Sequence, residues 1–276
     1  MTKTILWLAS YPKSGNTWLR LFLFNYLFDL DAPAPINQAH RIGPADVTAA
    51  LYRALAKGRP FDPMDAQGAL ALRPKVLAAH AATGASVNFM KTHNANITLQ
   101  GTPLIPVPLT RGALYIIRDP LDMALSFAHH YKVSHDHLVK ALNSADHTTT
   151  PDETVVPQYL GGWSKHVRSW ERARGFPTQV IRYEDMSADP HAAFAAALTF
   201  IGAPVDDARL DKAIRFSSFD EASKQETEHG FVEKPKNAAR FFRSGKTGEG
   251  REGLPAEVIR QIERDHEAVM RRHGYL

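Results

Sequence analysis

Cysteine is missing from all 276 residues. Its absence excludes disulfides, thiolate catalysis and any zinc or iron–sulfur site built on cysteine, and is compatible with a reducing compartment. Long apolar runs are missing as well. The run after Lys3 is brief and leads into a charged loop, and the following helix is interrupted by Arg20 and Asn25, too short for a membrane span. No secretion signal is evident, so a soluble cytoplasmic protein is expected. The formal charge of +4 is small for this length, which suits anionic small molecules better than a dedicated nucleic-acid surface. What is present, 44% hydrophobic residues, suffices for one large α/β domain or two small ones.

The chain is organised around Ile5 to Leu27. There a short apolar run, ILWLA, meets the loop SYPKSGNT and then WLRLFLFNYL, apolar at Leu19, Phe22, Leu23, Tyr26 and Leu27. The first run suits a strand buried on both faces of a parallel sheet, and the second follows helical spacing. Between them Pro12 stiffens the turn and Gly15 allows close backbone approach, so the first amides of the helix converge on one point. Lys13, Ser14, Asn16 and Thr17 add a cation and polar groups there, as an oxyanion site requires. An ordinary turn with a solvated lysine fits the same residues. The Walker pattern G-x-x-x-x-G-K-[ST] is absent, since here the lysine precedes the glycine, which argues against an ordinary ATPase or kinase.

Further on, residues 32–84 are rich in Ala, Pro and Gly with short helical stretches, and are expected to form a helical insertion; no chemistry shows in its pattern, and a role in shaping the acceptor pocket over the mouth of the site is left open. SVNFMKTH predicts a second buried strand with Lys91, Thr92 and His93 at its carboxyl end, where ligands of open α/β sheets gather. GALYIIRDPLDMALSFAHHY predicts a strand from Ala113 to Ile117, then Arg118, an Asp119 cap and a helix opened by Pro120. An ion pair would explain Arg118 equally well. Ser126 lies two turns into that helix. His129, His130, His135 and His137 crowd the segment after it. This run reads as loop-like, with acceptor contact or solvation preferred to a metal site. GGWSKHVRSWERARG predicts an amphipathic helix with Trp163, Val167 and Trp170 inward. TQVIRYED predicts another strand, ending near Tyr183 and Glu184. DARLDKAIRFSSFDEASKQE reads as a helix leading into Ser217, Ser218 and Phe219. Basic residues cluster from Lys234 to Arg251, and a last helix follows Pro255, with Val258, Ile262 and Val269 inward. Alternating strands and helices imply an α/β fold: a doubly wound parallel sheet with a P-loop-like phosphate-binding loop and helices on both faces.

YPKSGNTW resembles the phosphosulfate-binding loop of the sulfotransferases that use PAPS (3′-phosphoadenosine 5′-phosphosulfate). Five further segments agree in order. KTH matches the family's K-T-H, whose histidine is the general base, with Asn94 and Ala95 in place of the usual L-P. Arg118, Asp119, Pro120, Asp122 and Ser126 match R-[ND]-P-x-D-x-x-x-S, which binds the 3′-phosphate through its Arg and Ser. YEDM before a D-P pair places Tyr183 at the adenine end. SSF stands for the usual T-S-F, making Ser217 and Phe219 adenosine contacts. FFRSGKTGEG resembles F-x-R-K-G-x-x-G-D-W, with Arg243, Gly245 and Gly248 in place, Ser244 for the Lys, Glu249 for the Asp and Gly250 for the Trp.

The resemblance implies one sulfotransferase-like domain over 1–276. PAPS would be the sulfuryl donor and PAP, its desulfated form, the product, with no metal required. Lys13 would meet the leaving phosphate, supported by Ser14, Gly15, Asn16 and Thr17. His93 would be the base and Lys91 would steady the sulfuryl oxygens. Trp18 would stack on adenine, while Arg118, Ser126 and Arg243, with Ser244 and Gly245, would hold the 3′-phosphate. The acceptor is left open among small molecules, lipids and saccharides. The oligomeric state is left open: a homodimer is compatible with the sequence but not indicated by motif, because the Thr-Val pair of the family's dimer segment is absent. Two other classes use the same strand-loop-helix: a kinase, which would turn over ATP with magnesium, and a non-catalytic nucleotide-binding module, which would show no transfer at all.

Overall fold

The computed structural model describes residues 3–58, 60–235 and 238–276; Lys236, in the late basic cluster, lies outside them. In chain order, β1 (Ile5–Ser10) leads to α1 (Asn16–Phe28), and the insertion holds α2 (Ala49–Leu55) and α3 (Ala66–Ala81). Then come β2 (Asn88–Thr92), a small hairpin of β3 (Thr98–Leu99) and β4 (Thr102–Pro103), and β5 (Thr110–Ile117). After these follow α4 (Pro120–Tyr131), α5 (His135–Asn143), α6 (Trp163–Glu171) and β6 (Thr178–Arg182). The remainder is helical: α7 (Tyr183–Ala188), α8 (Pro190–Ile201), α9 (Asp207–Phe216), α10 (Phe219–His229), α11 (Glu249–Gly253) and α12 (Ala256–Arg272). The architecture is α/β, a parallel sheet flanked by helices, as the alternation of apolar runs predicts.

The chain divides into two compact units. One comprises Met1–Tyr11, Gly43–Tyr115 and Leu142–Val180; the other comprises Pro12–Ile42, Ile116–Ala141 and Ile181–Leu276. The sheet belongs mainly to the first, in the order β2-β1-β5-β6, with β1 parallel to β2 from Ile5 opposite Asn88 to Ala9 opposite Thr92. All six residues of β1 are buried, which is why its sequence runs apolar without alternation from Ile5 to Ala9. Trp7, Trp163 and Trp170 are fully buried in this unit; Trp7 Nε1 donates to Thr110 Oγ1 at 3.0 Å and Tyr115 stacks on Trp170. Strand order reverses at β1, whose neighbours β2 and β5 lie on opposite sides. The chain leaving β1 and β5 at such a switch point carries the ligand loops in open α/β sheets. Both of those loops, Pro12–Gly15 and Arg118–Asp119, fall in the second unit.

Three local expectations change. The stretch from Asp207 to His229 is two helices, because Ser218 adopts extended backbone and its Oγ accepts from Glu221 N at 3.3 Å, capping α10. The histidine run is not a loop: His129 and His130 end α4, while His135 and His137 open α5. Tyr183 and Glu184 begin α7 instead of ending a strand.

Candidate active site

In the second unit, Gly15 starts α1 at φ +104°, and its missing side chain leaves the helix start without a side-chain cap. Lys13 is also left-handed, at φ 69°, a conformation that a residue bearing a Cβ holds only when its surroundings impose it. Ser14 is buried, and its Oγ has no partner among the described residues. A left-handed lysine, an uncapped helix start and an orphaned hydroxyl together suit an oxyanion. Asn16 and Thr17 are buried on the first turn, and Thr17 Oγ1 accepts from Arg20 Nη2 at 3.3 Å.

Arg118 gathers the loops. Its Nη1 donates to Lys13 O at 3.3 Å and its Nη2 to Lys246 O at 2.8 Å; Asp122 lies 3.9 Å away, and the guanidinium sits 4.2 Å from the Tyr183 ring centroid. Tyr183 donates its hydroxyl to Gly245 O at 2.7 Å, while its ring covers Gly15. Burial raises the Tyr183 pKa, against the pull of Arg118, so the phenol remains a donor. Trp18 meets Tyr183 and Phe194 edge to face. Lys13, Gly15, Trp18, Arg118, Tyr183 and Gly245 are thus brought together.

The C-terminal loop is anchored by two carboxylates, of which sequence reasoning missed Glu226. Asp122 accepts from Gly248 N at 2.8 Å and Gly250 N at 2.7 Å, and buried Glu226 accepts from Phe241 N at 2.6 Å and Phe242 N at 2.9 Å. Asp122 was legible as a motif position, but nothing adjacent in sequence signals Glu226. Arg243 Nη2 and Ser244 Oγ both reach Glu249 Oε2, at 2.6 and 2.5 Å. Burial works against the Glu249 charge, but Ser244 and Arg243 outweigh it and keep its carboxyl below the ordinary range. Phe219 lies against Gly245, where a side chain would collide with its ring. The Ser217 hydroxyl donates to Ile214 O at 3.2 Å, within its own helix turn, and Ser126 is half-buried on α4.

In the first unit, the residues around His93 fix its tautomer. Its Nδ1 lies 2.8 Å from the Ser10 carbonyl and 3.2 Å from Ser10 Oγ. A carbonyl can only accept, so Nδ1 carries the proton and Nε2 is the basic nitrogen. The His93 carbonyl accepts from His166 Nε2 at 3.0 Å, so His166 Nδ1 in turn accepts from Tyr115 OH at 2.9 Å. Burial lowers the His166 pKa to about 4 and keeps that ring neutral.

The insertion supplies the rest of the frame. Lys91 N donates to Pro44 O and Asp46 N to Lys91 O, both at 3.0 Å, so residues 44–46 line the edge of β2. Buried Asp46 accepts from Arg73 Nη2 at 2.5 Å, Thr92 Oγ1 at 2.8 Å and Asn94 Nδ2 at 3.0 Å. Asn94, standing where the family has Leu, also accepts from Tyr159 N at 2.7 Å. Thr92 and Asn94, the two neighbours of His93, are therefore both held by one buried carboxylate. Among the described residues no group of three or more His, Asp or Glu could hold a metal ion, and no helix is long and apolar enough to cross a membrane.

The chain matches the sulfotransferase domain family over residues 3–274 and belongs to it. Sulfotransferase 1C2 of Rattus norvegicus is 24% identical over 254 residues, covering 88% of this chain and 75% of that protein. Flavonol 3-sulfotransferase of Flaveria bidentis is 24% identical over 282 residues, covering 94% and 79%. Mouse sulfotransferase SULT7A1, solved in complex with PAP, shares the fold at a TM-score of 0.62 and 20% identity, over 98% of this chain and 86% of that one. The protein is an enzyme of sulfuryl transfer.

Proposed function

We propose that this sulfotransferase takes its sulfuryl group from PAPS and passes it to a hydroxyl or amine of a small-molecule, lipid or saccharide acceptor. The whole chain, 1–276, acts as one sulfotransferase-like domain in the cytoplasm. The observation that carries the reading is Arg118, whose guanidinium holds carbonyls of both Lys13 and Lys246, so that a single cation joins the N-terminal anion loop to the C-terminal one. Phosphate oxygens replace carbonyls at a guanidinium readily, because the charged pairing is stronger. The PAP bound in mouse sulfotransferase SULT7A1 supports the same donor.

The acceptor oxygen or nitrogen attacks sulfur as the bond from sulfur to the bridging oxygen of the 5′-phosphate breaks. The electron pair of that bond stays on the leaving phosphate. Lys13, the loop amides and Thr17 meet the growing charge, and preorganised donors of this kind are each worth ~3 kcal/mol in a transition state. His93 Nε2 takes the acceptor's proton, a role that contributes ~100-fold or more. Lys91 steadies the sulfuryl oxygens. Trp18, Tyr183, Ser217 and Phe219 hold the adenosine, while Arg118, Ser126, Arg243, Ser244 and Gly245 hold the 3′-phosphate. For Arg243 and Ser244 this means exchanging Glu249 for the phosphate. Isothermal calorimetry with PAP, followed by labelled PAPS offered to panels of phenols, alcohols, amines, lipids and saccharides, tests the proposal. Binding of PAP and transfer to a panel member are expected; no heat with PAP at micromolar protein overturns it.

A further inference from the structure

We infer that His130 is a positioning residue for Lys13, a deepening that rests on the proposed role of Lys13 at the leaving phosphate. His130 occupies the last turn of α4 and is only 7% exposed, an unusual burial for a histidine beside a lysine. Its Nδ1 lies 3.2 Å from Lys13 Nζ. An ammonium has only hydrogens to offer, so Nδ1 accepts and the ring is neutral in its Nε2–H form. The ammonium also lies 4.2 Å from the centroid of the Phe241 ring, and the His130 ring meets Phe241 nearly perpendicularly at 5.3 Å. The lysine head therefore contacts both an imidazole nitrogen and an aromatic face.

A lysine carries a flexible four-carbon stem, and an in-line transfer needs its cation at one place. His130 and Phe241 supply that restraint from two directions. Phe241 is held in turn by Glu226 through its backbone amide, two residues before Arg243. The same loop that carries the 3′-phosphate residues thus also forms one wall of the lysine site. A neutral nitrogen acceptor suits this task better than a carboxylate, which would neutralise the cation that the leaving phosphate must meet.

Two substitutions separate the ring from its nitrogen. His130→Phe keeps the buried ring and removes the acceptor; His130→Asn offers Oδ1 close to the position of Nδ1. Single-turnover release of labelled sulfate from PAPS, with water as acceptor, reads the chemical step without knowledge of the natural acceptor. His130→Phe should lower that rate about tenfold, the worth of a hydrogen bond to a charged group, with PAP affinity within about twofold. His130→Asn should recover most of the loss. In the double variant Lys13→Ala/His130→Phe the rate should equal that of Lys13→Ala, because the second change acts only through the lysine. Additive losses, or a normal rate in His130→Phe beside a slow Lys13→Ala, overturn the inference. If Lys13→Ala itself transfers normally, the reading of the lysine fails first, and the inference with it. Imidazole nitrogen NMR gives a readout free of turnover: Nδ1 of His130 should be unprotonated and should shift in Lys13→Ala. A protonated Nδ1 overturns the assignment.

Discussion

The Tyr183 ring lies so close over Gly15 that a Cβ added to the glycine would stand 2.6 Å from Tyr183 Cδ2. Residues 168 positions apart thereby share one wall of the anion loop, and the left-handed φ of Gly15 compounds the restriction. Gly15→Ala should weaken PAP binding by about tenfold or more, since both backbone and ring must shift. Tyr183→Phe keeps the ring and loses only the bond to Gly245 O, so its cost should be milder, about 1 kcal/mol. Calorimetric titration of the two variants checks the order; equal losses would mean that the packing is not what matters.

Arg118 bridges the Lys13 and Lys246 carbonyls and rests on Tyr183. Arg118→Ala should bring the affinities for PAP and AMP together, shrinking their ratio by about tenfold or more, because a charge-assisted pair to phosphate is lost. A uniform loss for both nucleotides would place the residue away from the 3′-phosphate.

The Ser10 carbonyl fixes the His93 tautomer by accepting from Nδ1. His93→Ala should slow transfer ~100-fold or more while PAP affinity stays within about twofold. Near-normal turnover would remove His93 from proton transfer.

Burial raises the Asp119 pKa from 3.8 to about 6, although its carboxylate accepts from Leu121 N as the cap of α4. The folded state thus binds this proton more tightly than the unfolded chain. Stability from this group is greatest below about pH 4, declines as pH rises towards 6 and is level above, by about 3 kcal/mol in total. Asp119→Asn retains an oxygen for the cap without the charge. Melting temperatures from pH 4 to 8 should show a flatter profile for the variant and a gain at pH 7; an unchanged profile would remove Asp119 as its source.

Much of the frame was legible because its causes are local. Continuous apolar residues at Ile5–Ala9 follow from burial on both faces, and Asp119-Pro120 and Asp189-Pro190 mark helix starts through a cap and a fixed φ. The break at Ser218 was missed because a serine within a helical pattern is ambiguous until its hydroxyl is seen to cap α10. The contacts of the insertion were illegible for a related reason. Asp46 and Arg73 are ordinary charged residues in sequence and become a buried pair holding Thr92 and Asn94 only once α3 and β2 are folded together.

The amino-acid order by itself determined the strand-loop-helix units, the placement of Lys13, His93 and Arg118 after strands, and the family, since each depends on residues within a few positions of one another. Tertiary structure alone decided that Lys13 meets His130, 117 residues away, and that Glu226 holds the loop before Arg243. A hydrogen bond requires two atoms within about 3 Å. For residues so distant along the chain, only the packing of the whole unit sets that distance.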